Sequence, residues 1–169
     1  MHNLPLFRVG EGHDLHRTLQ DRPLILGGVT IHAPFGLDGH SDADVLIHAV
    51  IDALLGATGQ GDIGERYPNT DDHWKDADSA VLLRDVLESV IAGTWKIQNL
   101  DCTISAEQPK LSAWKPAIRQ RLAELLDVSE SVLNIKAKSG ERMGPIGRGE
   151  AIAADVVVLI SRLSPIDLS

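Results

Sequence analysis

The sequence predicts an α+β fold: one mixed sheet of four to five strands with three helices packed on one face, a two-layer sandwich. Three observations carry this. Apolar residues recur at helical spacing in three separate segments. Strand-like runs surround those segments, giving the order strand, hairpin, helix, helix, strand, helix, strand, strand. The 169 residues, 43% of them hydrophobic, suffice for one domain spanning 1–169 with a core over about residues 6–162.

Taken in order, Leu6 to Asp14 starts as a strand and is expected to loosen at Gly10 and Gly12. Leu24-Ile25-Leu26 and Val29-Thr30-Ile31 flank Gly27-Gly28 as a hairpin. Residues 34–39 form a loop leading to the first helix, in the stretch 39–56. Ser41 with Asp44 resembles a capping box, and Gly56 is the expected stop. Four residues advance about 400° along a helix, so Asp44, His48 and Asp52 share one slowly drifting stripe. Val45, Ile47, Val50, Ile51, Leu54 and Leu55 form another, which must face a core. Residues 59–75 have no period and are rich in Gly, Asp, Asn and Pro; irregular stretches of this length are more often functional than idle. Ser79 caps a second helix through Leu82, Leu83, Val86, Leu87, Val90 and Ile91, ending near Gly93. Residues 95–106 alternate as a strand with Ile97, Leu100, Cys102 and Ile104 as apolar members, and Pro109 breaks it. A third helix spans roughly 114–126 and a strand 132–137. A Gly- and Arg-rich loop, 139–150, leads to a last strand whose run Val156 to Ile160 predicts burial on both faces.

A net charge of −8 argues against non-specific nucleic-acid binding, which needs a basic footprint, but leaves room for an anionic small substrate in a locally positive cleft. No apolar run is long enough to span a membrane. The single cysteine, Cys102, forms no intramolecular disulfide, and the first ten residues are too short and polar for a leader; a cytoplasmic protein is expected.

Asp14-Leu15-His16 places a carboxylate and an imidazole two residues apart, on the same side of an extended chain taken to end there. With His48 from the helix they make a two-His, one-carboxylate set with an open position, the pattern of a catalytic zinc site. On the residues alone, two ordinary surface or core histidines are the reading to be preferred. His40 and Ser41 precede the helix, where free N–H groups and the dipole favour an anion. Gly61-Asp62-Ile63-Gly64 is a tight turn, and Lys110, Lys138, Arg142 and Arg148 supply cations, so a phosphate-handling site is plausible chemistry. Ser41 as a mere cap and Lys110 as a solvated charge are the bland alternatives.

Taken together, Gly10 to His16 as G-x-G-x-D-x-H, the diglycine at Gly27, H-S-D-x-D-x-x-x-H from His40 to His48, G-D-I-G from Gly61, Tyr67-Pro68-Asn69-Thr70-Asp71, Ala77-Asp78-Ser79, Gln108-Pro109-Lys110 and Gly147-Arg148-Gly149-Glu150 closely resemble the 2-C-methyl-D-erythritol 2,4-cyclodiphosphate synthase family. The resemblance runs from about Phe7 to Ile160. It implies a phosphorus-oxygen lyase of non-mevalonate isoprenoid biosynthesis that cyclises 4-diphosphocytidyl-2-C-methyl-D-erythritol 2-phosphate and releases CMP. It further implies that Asp14, His16 and His48 bind zinc, that His40 and Ser41 hold substrate phosphates, and that His40 and Ser139 stabilise the transition state. Asp62, Ile63 and Gly64, with Tyr67, Asn69, Thr70 and Asp71, would hold the methylerythritol part. Ala106, Pro109, Lys110 and Leu111 would form the cytidine pocket. Lys138, Ser139, Gly140 and Glu141 would meet the phosphates, with Glu141 near a magnesium or manganese ion. A homotrimer with active sites between subunits is implied, with Pro145 and Arg148 near the threefold axis. Four departures stand out: His13 beside the metal triplet, read as no ligand; Asn69 in place of Asp; Gly140, expected to loosen its loop; and Pro145 in place of a bulky apolar residue. Asp52 reads as a partner or packing contact of the metal set. Two other readings compete: a zinc hydrolase with Asp44 as general base, and a non-catalytic trimer sensing isoprenoid diphosphates through Arg148.

Overall fold

The computed structural model describes residues 6–163. The expected hairpin is present: β2 (Leu24–Leu26) and β3 (Val29–Ile31) pair antiparallel as their own two-stranded ribbon. Gly27 and Gly28 both take positive φ, the backbone a two-residue turn of this hand requires. The main sheet has five strands in the order β4-β1-β7-β5-β6, made of β1 (Phe7–Gln20), β4 (Phe35–Leu37), β5 (Trp95–Ser105), β6 (Leu133–Lys138) and β7 (Ala151–Arg162). Only β5 and β6 run parallel, so the sheet is mixed. The helices α1 (Val45–Thr58), α3 (Ser79–Val86) and α4 (Lys115–Leu126) share one buried apolar cluster with it. Two one-turn helices, α2 (Ile63–Arg66) and α5 (Gly144–Gly147), lie in loops. Residues 1–5, half of the stretch read for a leader, lie outside the described residues.

Several expectations change. β1 does not loosen at Gly10 and Gly12 but runs unbroken for 14 residues. A Cβ on Gly10 would lie 1.8 Å from the Ala53 carbonyl oxygen, and one on Gly12 2.0 Å from that of Ala49. The glycines therefore let the α1 backbone rest directly on the strand, a tertiary demand that overrides poor strand propensity. Asp14 and His16 consequently sit inside β1, not at its end. The 34–39 loop contains β4, paired with the end of β1. Helix α1 starts later than expected, with Asp44 as its N-cap, and passes through Gly56 to stop at Gly59, whose φ of 72° suits a left-handed cap. It is buried nearly all round, because β1 and β7 cover one side and α3 another. Ser79 is the first residue of α3; Asp78 is the cap, accepting from Ala80 N–H at 2.8 Å. A π-helical turn, Leu87–Ile91, extends α3. In β5 the pairing with β7 shifts register between Ile97 and Asn99, which accounts for the three-residue step from Ile97 to Leu100.

The 59–75 stretch is interrupted by α2 and by a 3₁₀ turn at Asp72–Trp74. The last strand is not buried on both faces. Val156, Val158 and Ile160 are fully buried, whereas Val157 is 47% exposed on the opposite face with Val9 and Leu15 of β1. That outer face also carries the His13–Asp155 pair at 2.7 Å and Lys136–Asp101 at 2.6 Å. Cys102 is buried in β5, and burial pushes its thiol pKa well up.

Candidate metal centre and cavity

On β1 the residues facing α1 are Gly10, Gly12, Asp14 and His16, two apart along one side of the strand. The glycines bring the helix close, and His48, adjacent to Ala49 on α1, meets Asp14 and His16. Asp14 Oδ2 lies 3.0 Å from His16 Nε2 and 2.9 Å from His48 Nδ1, and the two nitrogens are 3.2 Å apart. These three atoms are the one group of such ligands that converges among the described residues. His13, on the other side of the strand, bonds Asp155 and takes no part, as expected.

The remaining ring nitrogens fix which atoms are free. His16 Nδ1–H donates to the Asp38 carbonyl at 2.5 Å, because a carbonyl can only accept. That leaves a lone pair on Nε2. His48 Nε2 lies 2.9 Å from Ser79 Oγ and 3.1 Å from Ser41 Oγ, leaving Nδ1 toward the cluster. Three acceptor atoms within 3.2 Å of one another repel unless a cation lies among them. Donors about 2.1 Å from a tetrahedral cation are about 3.4 Å apart, so the set fits a metal with a shift of a few tenths of an ångström. Burial alone would raise the Asp14 pKa; when imidazole protons take the place of a metal cation among the three atoms, the hydrogen bonds and charges of the two histidines outweigh burial and hold the carboxyl well below the usual range. Burial likewise presses the His16 pKa down, while Asp14 and the Asp38 carbonyl lift it above the ordinary imidazole value.

The cluster opens into a cavity of about 510 Å³ whose walls include Asp38, Gly39, His40 and Ser41 on one side and Ile63, Gly64, Tyr67 and Asn69 on the other. Trp74 and Leu82 also line it, neither of which the sequence marks as a site residue: Leu82 reads there as an apolar member of the second helix. His40 Nε2 is 3.2 Å from the Asp71 carbonyl. Asp62 and Asp71 spend their side chains capping the turns that follow, by bonds from Glu65 N–H and His73 N–H; neither they nor Thr70 line the cavity. Asp52 accepts from Ile63 N–H at 2.8 Å, so it anchors the 62–64 turn and does not touch the metal set. Asp44 cannot serve as a base: it is fully buried and accepts from the N–H groups of Gly27, Gly28, Leu46 and Ile47. Burial pushes its pKa up to about 6 against the pull of those donors. Ser41 does not cap the helix; its Oγ accepts from Ala43 N–H at 3.2 Å and faces His48.

The other predicted residues gather at the far end of β5 and β6 and do not line this cavity within one chain. Ala106 N–H donates to the Lys138 carbonyl at 2.9 Å, Gly140 N–H to Glu107 at 3.1 Å, and Ser139 Oγ–H to Glu141 at 2.9 Å. The Ala106 and Leu111 side chains belong to the core, while Pro109 and Lys110 form the bend between them. Gly140 does not loosen its loop: a Cβ there would lie 2.3 Å from Gly147 N, so the glycine allows two chain segments to touch. Pro145 lines a second cavity with Leu15, Arg17, Thr18, Glu150 and Ala151, and Arg148 is held by a two-pronged bond to Glu150 at 2.7 and 2.9 Å.

Residues 7–161 match the model of the YgbB family. A curated relative from Synechocystis, named 2-C-methyl-D-erythritol 2,4-cyclodiphosphate synthase, is 52% identical over 153 residues, covering 90% of this chain and 95% of that one. Among solved structures, the bifunctional IspDF of Campylobacter jejuni superposes with a TM-score of 0.89 at 41% identity, over 94% of this chain and 43% of that one. The CDP complex of IspF from Plasmodium falciparum gives 0.82 at 30% identity, over 94% and 97%.

Proposed function

The chain belongs to the YgbB family, and on that footing we propose that it converts 4-diphosphocytidyl-2-C-methyl-D-erythritol 2-phosphate to the 2,4-cyclodiphosphate with release of CMP, in the non-mevalonate route to isoprenoids. The observation that carries this reading is the meeting of three acceptor atoms, from Asp14, His16 and His48, at the wall of a cavity that also presents His40 and Ser41. The 2-phosphate of the substrate is its own nucleophile: one of its oxygens bonds to the β-phosphorus as the bond to CMP breaks. The protein therefore needs no nucleophile; it positions the two phosphates and neutralises charge.

In this reading Asp14, His16 and His48 hold zinc, which supplies Lewis acidity toward a phosphoryl oxygen. Ser41 donates to a phosphate oxygen: its own oxygen is occupied by the Ala43 N–H, and the hydroxyl proton is left for the cavity. His40 stabilises the charge that develops on the attacked phosphoryl group. The 62–64 turn, held by Asp52, and Tyr67 and Asn69 grip the methylerythritol part. Ala106, Pro109, Lys110 and Leu111 form the cytidine pocket, and Lys138 to Glu141 serve the diphosphate, with Glu141 near a magnesium or manganese ion and Ser139 as the second stabilising group. Since those residues lie outside the cavity of one chain, we place them in a neighbouring copy's site, in the homotrimer that the resemblance implies. The exposed apolar side chains Val9, Leu15 and Val157 on the outer sheet face support assembly. No helix among the described residues is long and apolar enough to cross a membrane; a cytoplasmic location accords with the substrate's chemistry.

Incubation of the protein with the cytidine substrate, followed by ³¹P NMR, tests the reading. Cyclic diphosphate and CMP in equal amounts are expected, abolished by a strong chelator and restored by zinc. A linear monophosphate product would show a hydrolase instead.

A further inference from the structure

We propose that Asp42 and Ser79 are positioning residues that fix the tautomer of His48 through a carboxylate–hydroxyl–imidazole relay, and so set metal affinity. The inference rests on the metal reading above and concerns two residues that the sequence motifs contain but to which no role at the site was given. Asp42 precedes α1, and Ser79 opens α3, 37 positions later. The Asp42 carboxylate accepts from two backbone groups, Ser79 N–H at 3.1 Å through Oδ2 and Asp44 N–H at 3.2 Å through Oδ1. Asp42 Oδ1 also sits against Ser79 Oγ. A carboxylate has no proton to give, so Ser79 donates its single hydroxyl proton to Asp42. The Ser79 oxygen is then left as an acceptor, and the His48 nitrogen facing it at 2.9 Å, Nε2, must carry the proton.

The consequence is directional. A neutral imidazole with its proton on Nε2 presents a lone pair on Nδ1, the atom 2.9 Å from Asp14 Oδ2 and 3.2 Å from His16 Nε2. Reversing the Ser79 hydroxyl would place the proton on Nδ1 and remove a metal donor. Ser79 is fully buried, so water cannot replace it. Ser41, at 3.1 Å, offers His48 a second acceptor, but among the described residues no carboxylate bonds its hydroxyl. Loss of Ser79 should therefore weaken the site without abolishing it. The Ser79 N–H bond to Asp42 survives a change to alanine, which isolates the hydroxyl.

The test measures zinc affinity of the full chain by competition with a chelator. Ser79→Ala and Asp42→Asn should each weaken zinc about 10-fold, toward 100-fold for Asp42→Asn, which can turn its amide N–H toward Ser79. The double variant should lose no more than the weaker single variant, because the two act as a unit. Side-chain ¹H–¹⁵N spectra supply the signature that mere destabilisation would not move: a protected His48 Nε2–H in the wild type, exchanging faster in Ser79→Ala, where Ser41 alone is left to accept. Zinc binding within twofold of wild type in both variants overturns the relay, as does a wild-type spectrum showing Nδ1–H. A wild type that binds no zinc overturns the metal reading together with the relay. Should Ser79→Ala fail to fold, Asp42→Asn and the wild-type spectrum decide the matter.

Discussion

Gly12 shows how a residue with no side chain can govern a metal site. A Cβ there would lie 2.0 Å from the Ala49 carbonyl oxygen and 2.7 Å from Ala53 N, both backbone atoms that cannot step aside. Gly12→Ala should cost about 3 kcal/mol of stability in urea unfolding, the upper part of the range for overpacking. It should also weaken zinc binding, because pushing α1 off the strand carries His48 away from Asp14. At this scale the sequence was partly readable. The spacing of Asp14 and His16 placed both on one side of the strand, and His48 followed from its helix. Gly10 and Gly12 were misread, since a glycine that weakens a strand and one that admits a helix look alike until the helix is in place. The Asp38 carbonyl was invisible for a simpler reason: any residue could supply it.

Among the elements, the junction between α2 and α3 responds to pH. Tyr67 Oη–H donates to Asp85 Oδ2 at 2.5 Å, and Arg66 donates to the same oxygen at 3.1 and 2.9 Å. The Tyr67 bond, with Arg66 beside it, holds the Asp85 pKa below the usual carboxylate value. Burial, joined by Asp85, pushes Tyr67 up to about 12. A carboxyl with a lowered folded pKa stabilises the fold above its unfolded value, near 4, and loses that contribution as pH falls through the folded value. A phenol with a raised pKa stabilises below about pH 10 and loses the contribution as pH climbs through about 12. Asp85→Asn should thus lower stability modestly at neutral pH, and the difference from the wild type should vanish as pH falls below about 4 in denaturant titrations, because the contribution it removes is present only above that pH. Element boundaries were readable only where one residue type decides them. Gly27-Gly28 gave the hairpin outright, whereas Ser41 and Ser79 looked like caps although Asp44 and Asp78 hold those places. A serine before a helix signals a cap as readily when its hydroxyl is turned to a histidine.

At the level of the whole molecule, β7 teaches the same lesson about context. Its unbroken apolar run reads as a strand covered on both sides, yet Val157 is 47%, Leu15 48% and Val9 65% exposed in one chain. Copies packed on that face would reconcile the run with its setting. Val157→Asp should convert a species of three chain masses in light scattering to one, with the Asp14–His16–His48 set of each chain retained; a wild type running as one chain mass would refute the proposed trimer. The fold class was legible because periodicity needs no partner, whereas the second half of the expected site, from Ala106 to Glu141, is expected from the resemblance alone and lies outside the cavity of one chain. β1 joins the two stories. Odd-numbered positions face outward and even-numbered ones carry the glycines, the carboxylate and the imidazole. Adding or deleting one residue ahead of Asp14 would exchange those roles at every later position, sending the Asp14 and His16 positions to the outer face and leucines toward the helix. Such a strand tolerates exchange at its outward positions far better than any change in its length.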